Sequence, residues 1–172
     1  MHNKYTFLQA VMSNSLNNLL VILKKGKEFA AEKGIDESVL INSRLVEDMM
    51  PLSRQVQIAS DNAKGGMAQL AGVMAPVMED TEATFDELIS RVERTIDYVN
   101  SFAAESFVNA DNVQITFKWM PGKYLTSEDY VEKYLLNNFF FHVVTAYDIL
   151  RHKGVQIGKA DYIGAMNMID VA

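Results

Sequence analysis

The run Glu82-Ala83-Thr84-Phe85-Asp86-Glu87-Leu88-Ile89-Ser90-Arg91-Val92-Glu93-Arg94-Thr95-Ile96-Asp97-Tyr98-Val99-Asn100-Ser101-Phe102 decides the fold class. Phe85, Leu88, Ile89, Val92, Ile96 and Val99 recur at three- and four-residue intervals, the period of one buried helical face. Asp86, Glu87, Arg91, Glu93, Arg94 and Asp97 cover the other side, which reads as a polar face in water. Asp80 or Thr81 is placed to cap this third helix.

Working upstream, a second helix is predicted from Pro51 to Ala71, with Leu52, Val56, Ala59, Ala63, Met67 and Leu70 on one face and Gly72 as its stop. Gly65 and Gly66 inside it each cost roughly 1 kcal/mol against Ala, and they predict close approach of a neighbouring helix. Gln57, Asp61 and Lys64 lie off the apolar stripe and read as a solvated surface. The first helix runs from Tyr5 to Lys33, striped by Leu8, Met12, Leu16, Leu19, Leu23 and Ala30, with Gly34 as its stop. Between them, Asp36 caps a short helical turn in the connection Ile35 to Met50.

Downstream, Val113, Ile115, Phe117 and Trp119 alternate with Gln114, Thr116 and Lys118, a period of two. Pro121-Gly122 makes a turn, and Lys123 to Thr126 return as the second strand of a small hairpin. Ser127 caps a fourth helix that runs to Lys153 before Gly154. The expectation is an all-α protein: an antiparallel-type four-helix bundle with a small β-hairpin between helices 3 and 4. Residues 1–155 form that single domain, and 156–172 form a C-terminal tail packing on it or extending from it.

Composition narrows the function classes. A chain of 172 residues with 49% hydrophobic and 22% charged residues can bury a real core. The net charge of −6 and the lack of a dense basic run argue against nucleic acid as a partner. The absence of cysteine excludes disulfides, thiolate metal sites and a cysteine nucleophile. Met1-His2-Asn3-Lys4 does not begin a signal peptide, and Leu19 to Leu23 is too short to span a bilayer. The expected setting is therefore cytoplasmic, without a membrane partner.

The histidines are His2, His142 and His152. Two imidazoles four apart on one helix would share a metal, but position 146 is Ala146. His142 and His152 are separated by about 15 Å of helical rise. Helical phase instead gathers Asn138, His142 and Thr145 into a polar strip on a very apolar helix. Such a strip is either a self-satisfied cluster that fixes helix register or the wall of a small-molecule pocket in the bundle interior. Asn138, His142 and Gln55, at the edge of the second helix's stripe, are the ligand-pocket candidates, with Met49 and Met50 as possible opposing walls. Leu135, Leu136, Phe139, Phe140, Phe141, Val143, Val144 and Leu150 point all round the fourth helix. A helix apolar on every side is buried on every side, so a homodimer through this helix is expected.

Two segments resemble a known family: Arg44-Leu45-Val46-Glu47-Asp48-Met49-Met50-Pro51-Leu52-Ser53-Arg54-Gln55-Val56-Gln57-Ile58-Ala59 and Asn138-Phe139-Phe140-Phe141-His142-Val143-Val144-Thr145-Ala146-Tyr147-Asp148-Ile149-Leu150-Arg151-His152. With Gly158-Lys159-Ala160-Asp161-Tyr162 they closely resemble a bacterial domain-of-unknown-function family in the DinB/YfiT-like superfamily of proposed metalloenzymes. The resemblance implies a four-helix bundle with a long crossover, often dimeric. Better-known relatives are metal-dependent thiol transferases and isomerases with one histidine on the second helix and two on the fourth. Here Gln55 or Gln57 stands in the first region and Ala146 follows His142, so no three-histidine site and no cofactor is expected; zinc or nickel is the minor alternative. The functional expectation is a DinB-like bundle that binds a small molecule in its interior. The alternatives are a diverged thiol transferase or isomerase, and a non-catalytic structural or interaction protein. These residues fit an enzyme and a non-catalytic protein alike.

Overall fold

The computed structural model describes residues 4–171, so His2 lies outside the described residues. The elements are α1 (Lys4–Lys33), α2 (Glu37–Ile41), α3 (Leu52–Ala71), α4 (Phe85–Asn100), 3-10 turns at Ala104–Phe107 and Ala110–Asn112, β1 (Gln114–Ile115), β2 (Leu125–Thr126), α5 (Ser127–Asp129), a π-helical turn at Tyr130–Leu135, α6 (Leu136–His152) and α7 (Lys159–Ile163). The fold is the expected all-α bundle with one small antiparallel hairpin, in which Gln114 pairs with Thr126 and Ile115 with Leu125. The hairpin is shorter than the alternation suggests. Phe117 and Trp119 leave the strand and stack on each other, ring centroids 5.0 Å apart.

Side-chain contacts fix the helix directions. Gly26 of α1 meets Phe85 at the start of α4, and Gln9 Nε2 donates to the Val99 and Phe102 carbonyls at its far end, so α1 and α4 are antiparallel. Gln55 meets His142, Asn62 meets Asn138 and Gly66 meets Leu135, so α3 and α6 are antiparallel too. Gly26 also touches Leu150, while Tyr5 bonds Ser127, which makes α1 and α6 parallel. It follows that α3 and α4 run in the same direction, and the antiparallel-type reading is corrected to up, down, down, up. A parallel pair cannot be joined by a tight turn, so residues 73–84 must travel back along the bundle. α3 is about 30 Å long at 1.5 Å per residue, and twelve extended residues reach about 40 Å.

Local chemistry sets the ends. Thr84, rather than Asp80 or Thr81, caps α4 in a capping box with Glu87. The Glu37 carboxylate of α2 also accepts the Phe85 N–H, at 2.8 Å. Asp36 caps α2 as the sequence suggests. Pro51 is the residue before α3, not its first, and its carbonyl accepts the Gln55 N–H. Thr126 rather than Ser127 caps the last long helix. Gly66 is packed as expected: a Cβ there would lie 2.6 Å from Leu135 Cδ2, whereas Gly65 faces open space. Beyond residue 155, α7 docks on α1, whereas Met166, Met168, Ile169 and Val171 are exposed. Asn18 Nδ2 donates to the Tyr162 and Ile163 carbonyls, and Lys25 pairs with Asp161 at 2.6 Å. By length and composition α1 is apolar enough to cross a membrane; here Leu8, Met12, Leu16, Leu19 and Leu23 lie in the core.

The polar face of α4 holds the largest departure from the sequence reading. Arg91 is completely buried. Its Nη2 lies 2.9 Å from Asp61 Oδ1 and 3.1 Å from Asp80 Oδ1, and its Nη1 lies 2.9 Å from Glu82 Oε1. Nη1 also donates to the Glu79 carbonyl. Lys64 pairs with Asp61, Arg54 with Asp80, and Gln57 Nε2 donates to Glu82 Oε2. Gln57 and Lys64 are therefore buried rather than solvated. Asp80, Glu82 and Glu79 belong to the returning segment, so a network of three cations and three anions straps that segment onto α3 and α4.

Candidate functional site

Three of the sequence-selected residues meet along the seam between α3 and α6. One turn into α3, Gln55 is held by its own amide: Nε2 donates to the Met50 carbonyl at 2.9 Å. The amide oxygen then faces His142 Nδ1 at 2.6 Å. An amide oxygen can only accept, so the imidazole proton sits on Nδ1 and the lone pair on Nε2. Among the described residues, the bond at Nδ1 is the one hydrogen bond that the ring makes. His142 is 9% exposed, and burial together with the Arg54 charge holds its pKa below the ordinary histidine value. The ring is therefore neutral near pH 7. Phe141 packs edge-on against it, centroids 5.2 Å apart.

One turn earlier on α6, Asn138 does not bond His142. Its Nδ2 donates to Asn62 Oδ1 at 3.0 Å, and Asn62 Nδ2 is buried with no partner among the described residues. Thr145 turns back on its own helix and donates to the Phe141 carbonyl. The polar strip is thus three separate anchors. Asn62 went unnoticed in the sequence, although it lies seven residues after Gln55 and so on the same face of α3. Gln55, Asn138 and His142 line neither the cavity between α1 and the last long helix nor the concavities at Val77–Arg94, at Lys25–Gln156 and at Val144–Tyr162. Met49 and Met50 lie at the rim of the loop before α3, and Met50 supplies its carbonyl.

The donor set does not fit the metal that the resemblance implies. A zinc or nickel site takes three convergent nitrogen or carboxylate donors. This seam supplies one imidazole nitrogen, Nε2 of His142, and the Gln55 oxygen is already committed to Nδ1. Among the described residues, no group of three or more His, Cys, Asp or Glu side chains is placed to hold a metal ion.

Residues 5–163 match a family described as a domain of unknown function (DUF1993). The chain is also similar to a crystallised DinB family member protein from Shewanella denitrificans. The two are 40% identical, with a TM-score of 0.93, over 99% of this chain and 100% of the other. No curated protein matches the chain.

Proposed function

The chain belongs to the DUF1993 family, a domain of unknown function with a DinB-like fold, and from that premise we propose that it binds a small molecule at the seam of α3 and α6 through Nε2 of His142. The carrying observation is the Gln55–His142 hydrogen bond, which fixes the tautomer and leaves a neutral imidazole nitrogen with an unused lone pair. A group held this way accepts a hydrogen bond from a ligand N–H or O–H without first losing a proton. The unpartnered Asn62 Nδ2 supplies a donor on the same seam. No metal is used in this reading: among the described residues no three metal-ligating side chains are gathered.

The test is a thermal-shift screen of small polar molecules against the wild type and His142→Ala. The variant is expected to melt within a few degrees of the wild type and to lose the shift produced by any hit. Loss of about 1–3 kcal/mol on the same substitution, with no hit for the wild type, would instead assign His142 a purely structural role.

A pH prediction follows from the same site. The folded-state pKa of His142 lies below its value of about 6.5 in the unfolded chain. The unfolded state therefore binds more protons between the two values, and this group's contribution to stability falls as pH drops through that window. His142→Asn is expected to flatten that part of the stability curve. Gln55→Glu is expected to raise the His142 pKa, read by NMR titration, because a carboxylate at that distance favours the imidazolium.

The second reading concerns assembly. Phe141 is 55% and Val144 37% exposed on α6. This uncovered apolar surface supports a homodimer through α6. Light scattering at micromolar concentration is expected to give twice the chain mass; a monomer mass would reject it.

A further inference from the structure

A second place in the molecule is shaped for a ligand and is independent of the His142 reading. Between the first two turns of α1 and the start of the last long helix lies a cavity of about 230 Å³. Tyr5, Leu8 and Ser127 form its buried floor, and Val131, Leu136 and Phe140 form its inner wall. A dry apolar space of 150 Å³ already accommodates one benzene ring, so this cavity holds one ring or branched aliphatic group with a short chain.

The inner wall is where the helix departs from α geometry. Tyr130–Leu135 form a π-helical turn, a rare widening that is frequent at functional sites. Leu135 is driven into the notch at Gly66 on one side, while Val131 and Glu132 border the cavity on the other. The polar rim is unbalanced in charge. Lys4 is already paired with Asp111 at 2.6 Å, and the Tyr5 hydroxyl donates to the same carboxylate. Glu128 and Glu132, four residues apart and both exposed at the rim, have carboxylates with no hydrogen bond or ion pair among the described residues; the cation whose charge they feel, Lys133, is paired with Asp129. A ligand that fills the apolar space therefore meets two carboxylates at its mouth, neither of them in an ion pair among the described residues, beside a lysine whose charge is shared with Asp129.

We propose that this cavity binds a small organic amine: an aromatic or branched aliphatic body against Leu8, Val131, Leu136 and Phe140, with the ammonium group between Glu128 and Glu132. The amine is preferred over an alcohol of the same size by charge, and over a carboxylic acid by repulsion.

The experiment is calorimetric titration of the full chain with 2-phenylethylamine, 2-phenylethanol and 3-phenylpropionate at low salt. The amine is expected to bind at least ten-fold more tightly than the acid. Exposed ion pairs are weak, so Glu128→Gln and Glu132→Gln are each expected to weaken amine binding about three-fold without changing the melting temperature. Val131→Trp, which fills the space, is expected to abolish binding of the amine, with circular dichroism confirming its fold. Equal affinity for amine and acid, no binding at millimolar amine, or unchanged binding by the Val131→Trp variant would each overturn the proposal. So would conversion of a dimer to a monomer by Val131→Trp without any effect of the amine, which would make the cavity a contact between copies of the chain. His142→Ala leaves amine binding intact, which separates this site from the seam of α3 and α6.

Discussion

Arg91→Ala is expected to destabilise the fold by about 3–5 kcal/mol, the range for breaking a buried ion pair from one side. At this chain length that corresponds to roughly 10 °C in melting temperature. The guanidinium is fully buried and contacts Asp61, Asp80, Glu82 and the Glu79 carbonyl. Removing it leaves Glu82, whose side chain is 6% exposed, with only Gln57 as a partner. The damage is also local: the returning segment 73–84 loses the cation that joins three of its groups to α4. Limited proteolysis should therefore cut the variant between Val73 and Glu82 well before other sites, while the wild type resists. A melting temperature within 2 °C of the wild type, with an unchanged cleavage pattern, would show that the strap contributes nothing to stability. Arg91→Lys is expected to fall between the two, because a single ammonium cannot reproduce the fork that reaches Asp61 and Glu82 together.

Phe85→Ala is expected to cost a comparable amount, about 3–5 kcal/mol, by opening a cavity where α4 begins. Phe85 is fully buried, and its ring lies 3.0 Å from where a Cβ at position 26 would be. The pair makes a sharper test than either residue alone. Gly26→Ala by itself should destabilise, because the new methyl group meets Phe85 at 3.0 Å and Leu150 at 3.3 Å. In the Phe85→Ala background the same methyl group enters vacated space and gains the helix propensity of Ala over Gly, about 1 kcal/mol. Its effect should change sign. Additive melting shifts in the double variant would mean that the two positions do not share a packing site.

How far the sequence carried depends on the range of the physics involved. Helix positions follow from periodicities spanning two or three turns, and Leu8 to Leu23, Leu52 to Leu70 and Phe85 to Val99 all line the core where their spacing places them. The stops at Gly34 and Gly72 follow from a left-handed backbone that glycine adopts without strain. Helix phase also put Asn138 and His142 on one side of the fourth helix and Gln55 at the edge of the second helix's stripe. It could not assign partners, because His142 bonds a residue 87 positions away and Asn138 one 76 positions away. Spacing in the chain holds no information on which side chain stands opposite.

The segment that decided the fold class shows the division most clearly. By itself, the sequence determined that Phe85, Leu88, Ile89, Val92, Ile96 and Val99 turn inward, because burial of apolar area is non-directional and any core satisfies it. It assigned Arg91 to water on the same ground, since an isolated charge is costly to bury. Only the tertiary structure reversed that assignment. The parallel course of α3 and α4 forces residues 73–84 back over the bundle, and that segment carries Asp80 and Glu82 to where Asp61 already stands. Burying a charge is tolerated when opposite charges and acceptors converge on it, and convergence is a property of topology that no local pattern contains.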